Sequence, residues 1–170
     1  FNHKTPEQGR YYILHLDCSG IDKDNLPLRF AERIKNQLNE FLTVYNIPGR
    51  DNFIRTKYDS PAQLMDVFCR CFSAFLSKRV FLLIDEYDQF ANEVLSSDPQ
   101  QFKQITSAQG FLKNFYAVIK VNAGRIFKRI YITGVTPISL DSMTSGFSIA
   151  TNYSTNPDFK FDNGEEDEPE

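Results

Sequence analysis

The sequence predicts an α/β domain built on a parallel sheet, and three observations carry that expectation. Short apolar runs at residues 11–16, 80–84 and Phe127–Ile132 alternate with longer stretches whose apolar residues recur at helical spacing. The middle run, VFLLI, is apolar throughout, as a parallel strand with helices on both faces should be. Each run ends in polar residues, and ligands of such sheets bind beyond the carboxyl ends of the strands.

Taken in order, YYILHL reads as a buried strand that closes in the turn residues Asp17-Cys18-Ser19-Gly20. A helix follows over residues 28–45, with Phe30, Ile34, Leu38, Phe41 and Tyr45 on one side and Asn46-Ile47-Pro48-Gly49 as its stop. Ser60-Pro61 starts the next helix, a capping hydroxyl followed by proline in the first turn. Leu64, Val67, Phe68, Cys71, Phe72 and Phe75 form its expected apolar face. After the strand at 80–84 come a shorter helix over 89–95 and a start at Asp98-Pro99. A pattern through Phe111, Phe115, Val118 and Ile119 then ends near Gly124. Phe127–Ile132 is the third strand, closed by Thr133-Gly134.

The 170 residues, 41% hydrophobic and 24% charged, suit one soluble globular domain with a real core. Six of the 22 acidic residues fall in residues 162–170, a stretch without a base. The expected organisation is therefore a folded core over 1–161 and a solvated acidic tail over 162–170. The body left behind is slightly basic, too weakly on average to argue for nucleic acid. Three cysteines, Cys18, Cys69 and Cys71, lack a disulfide or zinc spacing and read as reduced thiols of an intracellular, cytoplasmic protein. His3 and His15 are too few and scattered for a metal site. No apolar run approaches membrane-spanning length, so no membrane partner is expected.

The chemistry concentrates in VFLLIDEYD, residues 80–88, which reads as a Walker B element. A rigid strand would deliver Asp85 to the nucleotide crevice, where it would hold Mg²⁺ through a coordinated water. Glu86 would orient and polarise the attacking water as general base. Asp88 would add negative field and hold a second water or a basic residue near the nucleotide. The plainer alternative is that Asp85 or Asp88 caps the helix starting near Gln89. Thr133, at the end of the next strand, suits a polar sensor of the γ-phosphate or attacking water; alternatively Thr133-Gly134 only ends a strand. Turn chemistry accounts for Asp17 and Ser19.

LLIDEYDQF, followed about forty residues later (a βαβ-crossover length) by YITGVTPISLDSMTSGFSIATN, resembles the predicted AAA-ATPase-like family. YYILHLDCSGI is similar to that family's second core strand, and the resemblance runs from about Tyr11 to Phe159. It implies a three-layer P-loop NTPase-type sheet with ATP and Mg²⁺ as ligands, and in many members a restriction-endonuclease-like domain at the C-terminal end. Two departures bear on function. No G-x-x-x-x-G-K-[ST] occurs, so the P-loop and its strand are expected upstream of Phe1 or lost. No Arg follows Arg129, and Phe159-Lys160-Phe161 runs into the acidic tail.

Without a backbone nest and its lysine, this chain alone should bind ATP poorly. Phe127–Ile132 should also be left as an apolar edge. The functions in contention are the Walker B half of an ATPase, a non-catalytic protein-interaction module or homo-oligomer that keeps the fold, and a regulatory domain of a nuclease-like protein. The last, with its nucleic-acid partner, rests on family analogy.

Overall fold

The computed structural model describes residues 6–22, 24–107 and 110–134. Three strands, β1 (Tyr11–Asp17), β2 (Arg79–Asp85) and β3 (Phe127–Ile132), form a parallel sheet in the order β1-β2-β3. The expected α/β class, strand positions and central place of the second strand all hold. Connecting them are α1 (Leu26–Val44), α2 (Arg50–Arg55), α3 (Pro61–Phe72), α4 (Gln89–Ser97), α5 (Pro99–Thr106) and α6 (Phe111–Asn122).

Local chemistry explains the boundaries. Ser60 accepts a hydrogen bond from the Gln63 N–H at 3.1 Å, and Asp98 accepts from the Gln100 and Gln101 N–H groups at 3.0 Å. Both caps precede a proline in the first turn, where the missing N–H costs nothing. The short helix α2 had no counterpart in the sequence reading, because six residues are too few to show a period. The start expected at Asp98-Pro99 opens α5, and the pattern through Phe111, Phe115, Val118 and Ile119 forms α6, which begins after Gly110. That glycine admits no side chain, since a Cβ there would overlap the Ile105 carbonyl.

The helices share one aromatic core. Phe30 of α1 sits 5.5 Å from Phe111 and 5.1 Å from Phe115 of α6, while Phe41 meets Phe68 of α3 at 5.8 Å. Cys69 rather than Cys71 faces this core, and Cys71 is exposed. The buried stripe of α3 is Leu64, Met65, Phe68, Cys69 and Phe72, rotated from the expected face because α3 packs against both α1 and α6. Phe75 falls beyond the helix in a 3₁₀ turn and is exposed. Burial pushes the Cys18 and Cys69 thiols up to about 12, which keeps them protonated and inert.

Two consecutive right-handed crossovers stepping the same way across a sheet place their helices on the same face. The burial follows suit: Leu14, Leu16, Val80, Leu82 and Ile84 are buried against the helices. On the other face Phe81 and Leu83 are half-buried, and Ile13 and Tyr131 are exposed. The described helices thus supply one of the two layers expected. At the free edge of β1 the hydroxyl of Tyr45, the C-cap of α1, accepts the Ile13 N–H at 3.0 Å. At β3 the expected apolar edge carries the exposed charges Lys128 and Arg129, which discourage strand-to-strand aggregation.

Candidate functional site

Parallel pairing brings the carboxyl ends of all three strands together. Asp17 is the register partner of Asp85. Backbone bonds continue past the strands: Cys18 N–H to the Asp85 carbonyl at 2.9 Å, Thr133 N–H to Ile84 at 2.8 Å, and Tyr87 N–H to Thr133 at 3.2 Å. Asp85, Glu86 and Thr133 therefore stand on one laced edge.

Asp85 is held on one side and open on the other. Its Oδ1 accepts from the Thr133 hydroxyl and, at 3.1 Å, from the Glu86 N–H. Its Oδ2 lies 3.9 Å from His15 Nε2, with about half the side chain exposed (49%). Glu86 adopts the left-handed region at φ 51°, rare for a residue with a long side chain. Among the described residues its carboxylate makes no hydrogen bond or ion pair. A half-exposed carboxylate at a strand end can accept from a cation's coordinated water, and its unengaged neighbour can accept a proton.

Asp88 behaves differently. It occupies the cap position of α4, yet its side chain makes no capping bond; it is fully buried and accepts from Asn92 Nδ2 at 3.2 Å. Neither Asp85 nor Asp88 thus serves as the side-chain cap of α4. Beside Asp88, burial raises the Tyr116 phenol well above its ordinary value, and the neighbouring Cys18, Tyr87 and Asp88 add to it. Gly134 closes the arrangement: a Cβ there would overlap the Tyr87 ring and the Asp88 carboxylate.

Asp17 is consumed by structure. Its Oδ1 accepts the Ser19 N–H at 2.8 Å, the turn role read from the sequence. Its Oδ2 takes Arg33 Nη2 at 2.6 Å, and its carbonyl accepts Arg33 Nε at 3.1 Å and Gln37 Nε2 at 2.9 Å. Burial raises the Asp17 pKa, but the bonds from Ser19 and the Arg33 charge outweigh it and hold the carboxyl below its ordinary value. Arg33, Gln37, the packing demand at Gly134 and the approach of His15 to Asp85 were missed in the sequence. The two-residue period of β1 puts His15 on the face of Asp17, a signal that was available. Nothing in the helical pattern of α1 marks Arg33.

Among the described residues no three His, Cys, Asp or Glu side chains gather as a metal cage, and no helix is long and apolar enough to cross a membrane. The parallel sheet, its helices and its polar carboxyl edge are consistent with an incomplete P-loop-type α/β core. Residues 1–144 match the family model AAA-ATPase_like, described as Predicted AAA-ATPase, and the chain belongs to that family. No match was found among curated proteins or solved structures. The second half of the motif, from Val135, and the acidic tail lie outside the described residues.

Proposed function

We propose that this chain supplies the Walker B side of an ATP-hydrolysing site. The observation that carries the reading is Asp85: end of the central strand, Oδ1 fixed by Thr133 and Glu86, Oδ2 3.9 Å from His15 Nε2 on a half-exposed side chain. The donor set fits Mg²⁺ held through water, since one carboxylate oxygen outside the hydrogen bonds to Thr133 and Glu86 suffices for an ion that keeps most of its waters. When bound, the ion would neutralise charge developing on the phosphates. Asp85 would orient its coordinated water, and Thr133 would keep that carboxylate in one rotamer while reporting on the strand beside it. Glu86, unengaged and half-exposed, would accept a proton from the attacking water. Asp88 would hold the turn from beneath through its buried contacts.

The chain contains no phosphate-cradling glycine loop, so the complementary half must come from a P-loop segment. The test joins that segment to this chain in one polypeptide and measures nucleotide affinity and turnover. Asp85→Ala should weaken Mg²⁺-dependent binding. Glu86→Gln should leave binding intact and lower kcat by about 10²–10⁴-fold, the usual worth of a general base. Parental turnover in Glu86→Gln would refute the catalytic reading and favour an interaction module.

A further inference from the structure

We propose that the edge opposite the carboxylates binds the phosphate backbone of single-stranded nucleic acid. The inference does not depend on the ATPase reading. Because the strands are parallel, their amino ends also converge: Tyr11 pairs with Arg79, and Val80 pairs with Phe127. This gathers Arg10, Lys78, Arg79, Arg125, Lys128 and Arg129, all exposed, onto one edge. The average charge of the chain conceals the concentration.

These cations are largely unneutralised. Arg10 has Glu7 at 3.8 Å, a pair exposed on both sides. Lys78 donates to the Gly9 carbonyl and Arg79 to the Gly124 carbonyl, each at 2.8 Å, so both keep their charge while tying the edge together. Among the described residues Arg125, Lys128 and Arg129 make no ion pair. Helix dipoles offer a plainer explanation, since α3 and α6 end near this edge and favour cations. Lys120, in the last turn of α6, answers that need. Lys128 and Arg129 lie within a strand and do not.

Four of the six are arginines, whose planar fork matches phosphate oxygens. Adjacent strands lie about 4.8 Å apart, so β1 to β3 spans about 10 Å, within reach of three or four consecutive phosphates once side chains extend. Aromatics share the sheet face with Arg79 and Arg129: Tyr11 and Phe81 in edge contact at 6.1 Å, and Tyr131, 56% exposed, two residues beyond Arg129. Charge for the backbone beside rings for the bases is the chemistry of single-strand recognition, and an acidic peptide would leave the rings unused.

The test is fluorescence anisotropy of the 170-residue chain with a labelled mixed-sequence single strand of about 20 nucleotides, the site size of one to a few small modules. Binding should fall in the range of about 10⁻⁴–10⁻⁶ M and weaken linearly in log salt with a slope of about −2 to −3. Lys128→Gln/Arg129→Gln should cost about tenfold and flatten the slope by more than one. Tyr131→Ala should weaken binding about fivefold without changing the slope. Arg125→Gln serves if the double variant loses its circular dichroism signal. Absence of binding in low salt would overturn the proposal. So would equal binding of polyglutamate, or equal losses from Lys57→Gln/Lys103→Gln on other surfaces.

Discussion

Adding one methyl group at Gly134 tests whether the end of β3 packs on the acidic turn as described. Gly134 does not need glycine for its backbone, since its φ lies outside the left-handed region; it needs glycine for space. A Cβ would overlap the Tyr87 ring and the Asp88 carboxylate. Tyr87 is 3% exposed and Asp88 0%, so neither has room to swing aside. Relief must come from moving the strand end or the turn, an overpacking cost of about 1–3 kcal/mol. For a chain of this length that lowers Tm by about 2–12 °C. Gly20 is the control: its φ is 62° with nothing within 4 Å, so the demand there is conformational. Gly20→Asn should be milder than Gly20→Ala, because Asn tolerates the left-handed region, whereas Gly134→Asn and Gly134→Ala should both be severe. Thermal unfolding followed by circular dichroism reads all four. A Gly134→Ala variant that melts with the parent would refute the described packing of Tyr87 and Asp88.

Asp17 makes an acid-range prediction: its carboxyl pKa is depressed in the folded state, so its contribution is full above the unfolded value of about 3.9 and is lost as pH falls through the lower folded value. With side chains 41% and 31% exposed, the Arg33–Asp17 pair should contribute at most about 1 kcal/mol, and Asp17→Asn should flatten the acid limb below about pH 4 in urea titrations. A parallel decline in parent and variant would count against the pair. At Glu86 the left-handed backbone costs about 1 kcal/mol or more, so Glu86→Asn should raise the urea midpoint. If the midpoint falls instead, the Glu86 side chain is bracing the turn rather than standing free.

The three strands and the starts of α3 and α5 were legible because each rests on a local rule: apolar runs, a capping side chain, a proline in the first turn. Convergence of Asp17, Asp85 and Thr133 followed from parallel order alone. What escaped depends on partners distant in sequence. The face of α3 turns toward Cys69 because α6, some forty residues on (a separation typical of crossover units), packs against it. Arg33 becomes part of the edge only when β1 delivers the Asp17 carbonyl to it. That the described helices lie on one sheet face was hidden for a similar reason, since an all-apolar strand reads alike whether one face or both are covered. The basic edge was averaged away by the acidic tail in the net charge of −3.

Two carboxylates sit side by side in register at the end of this sheet, and their oxygens tell them apart. Both oxygens of Asp17 are spent, one on the Ser19 turn and one on Arg33, with its carbonyl taken as well. A group so engaged is fixed in place, and a ligand could recruit it only by breaking a charge-assisted bond about twice as strong as a neutral one. Asp85 commits a single oxygen to hydrogen bonds, from Thr133 and Glu86, while its other oxygen stands 3.9 Å from His15 Nε2 on a half-exposed side chain. Among the described residues the neighbouring Glu86 makes no side-chain hydrogen bond or ion pair, and it sits in a costly backbone region. Stability alone would select the Asp17 arrangement at all three positions. That two of the three depart from it, adjacent in sequence and at the central strand, is the physical reason for proposing Asp85 and Glu86 as the reactive pair.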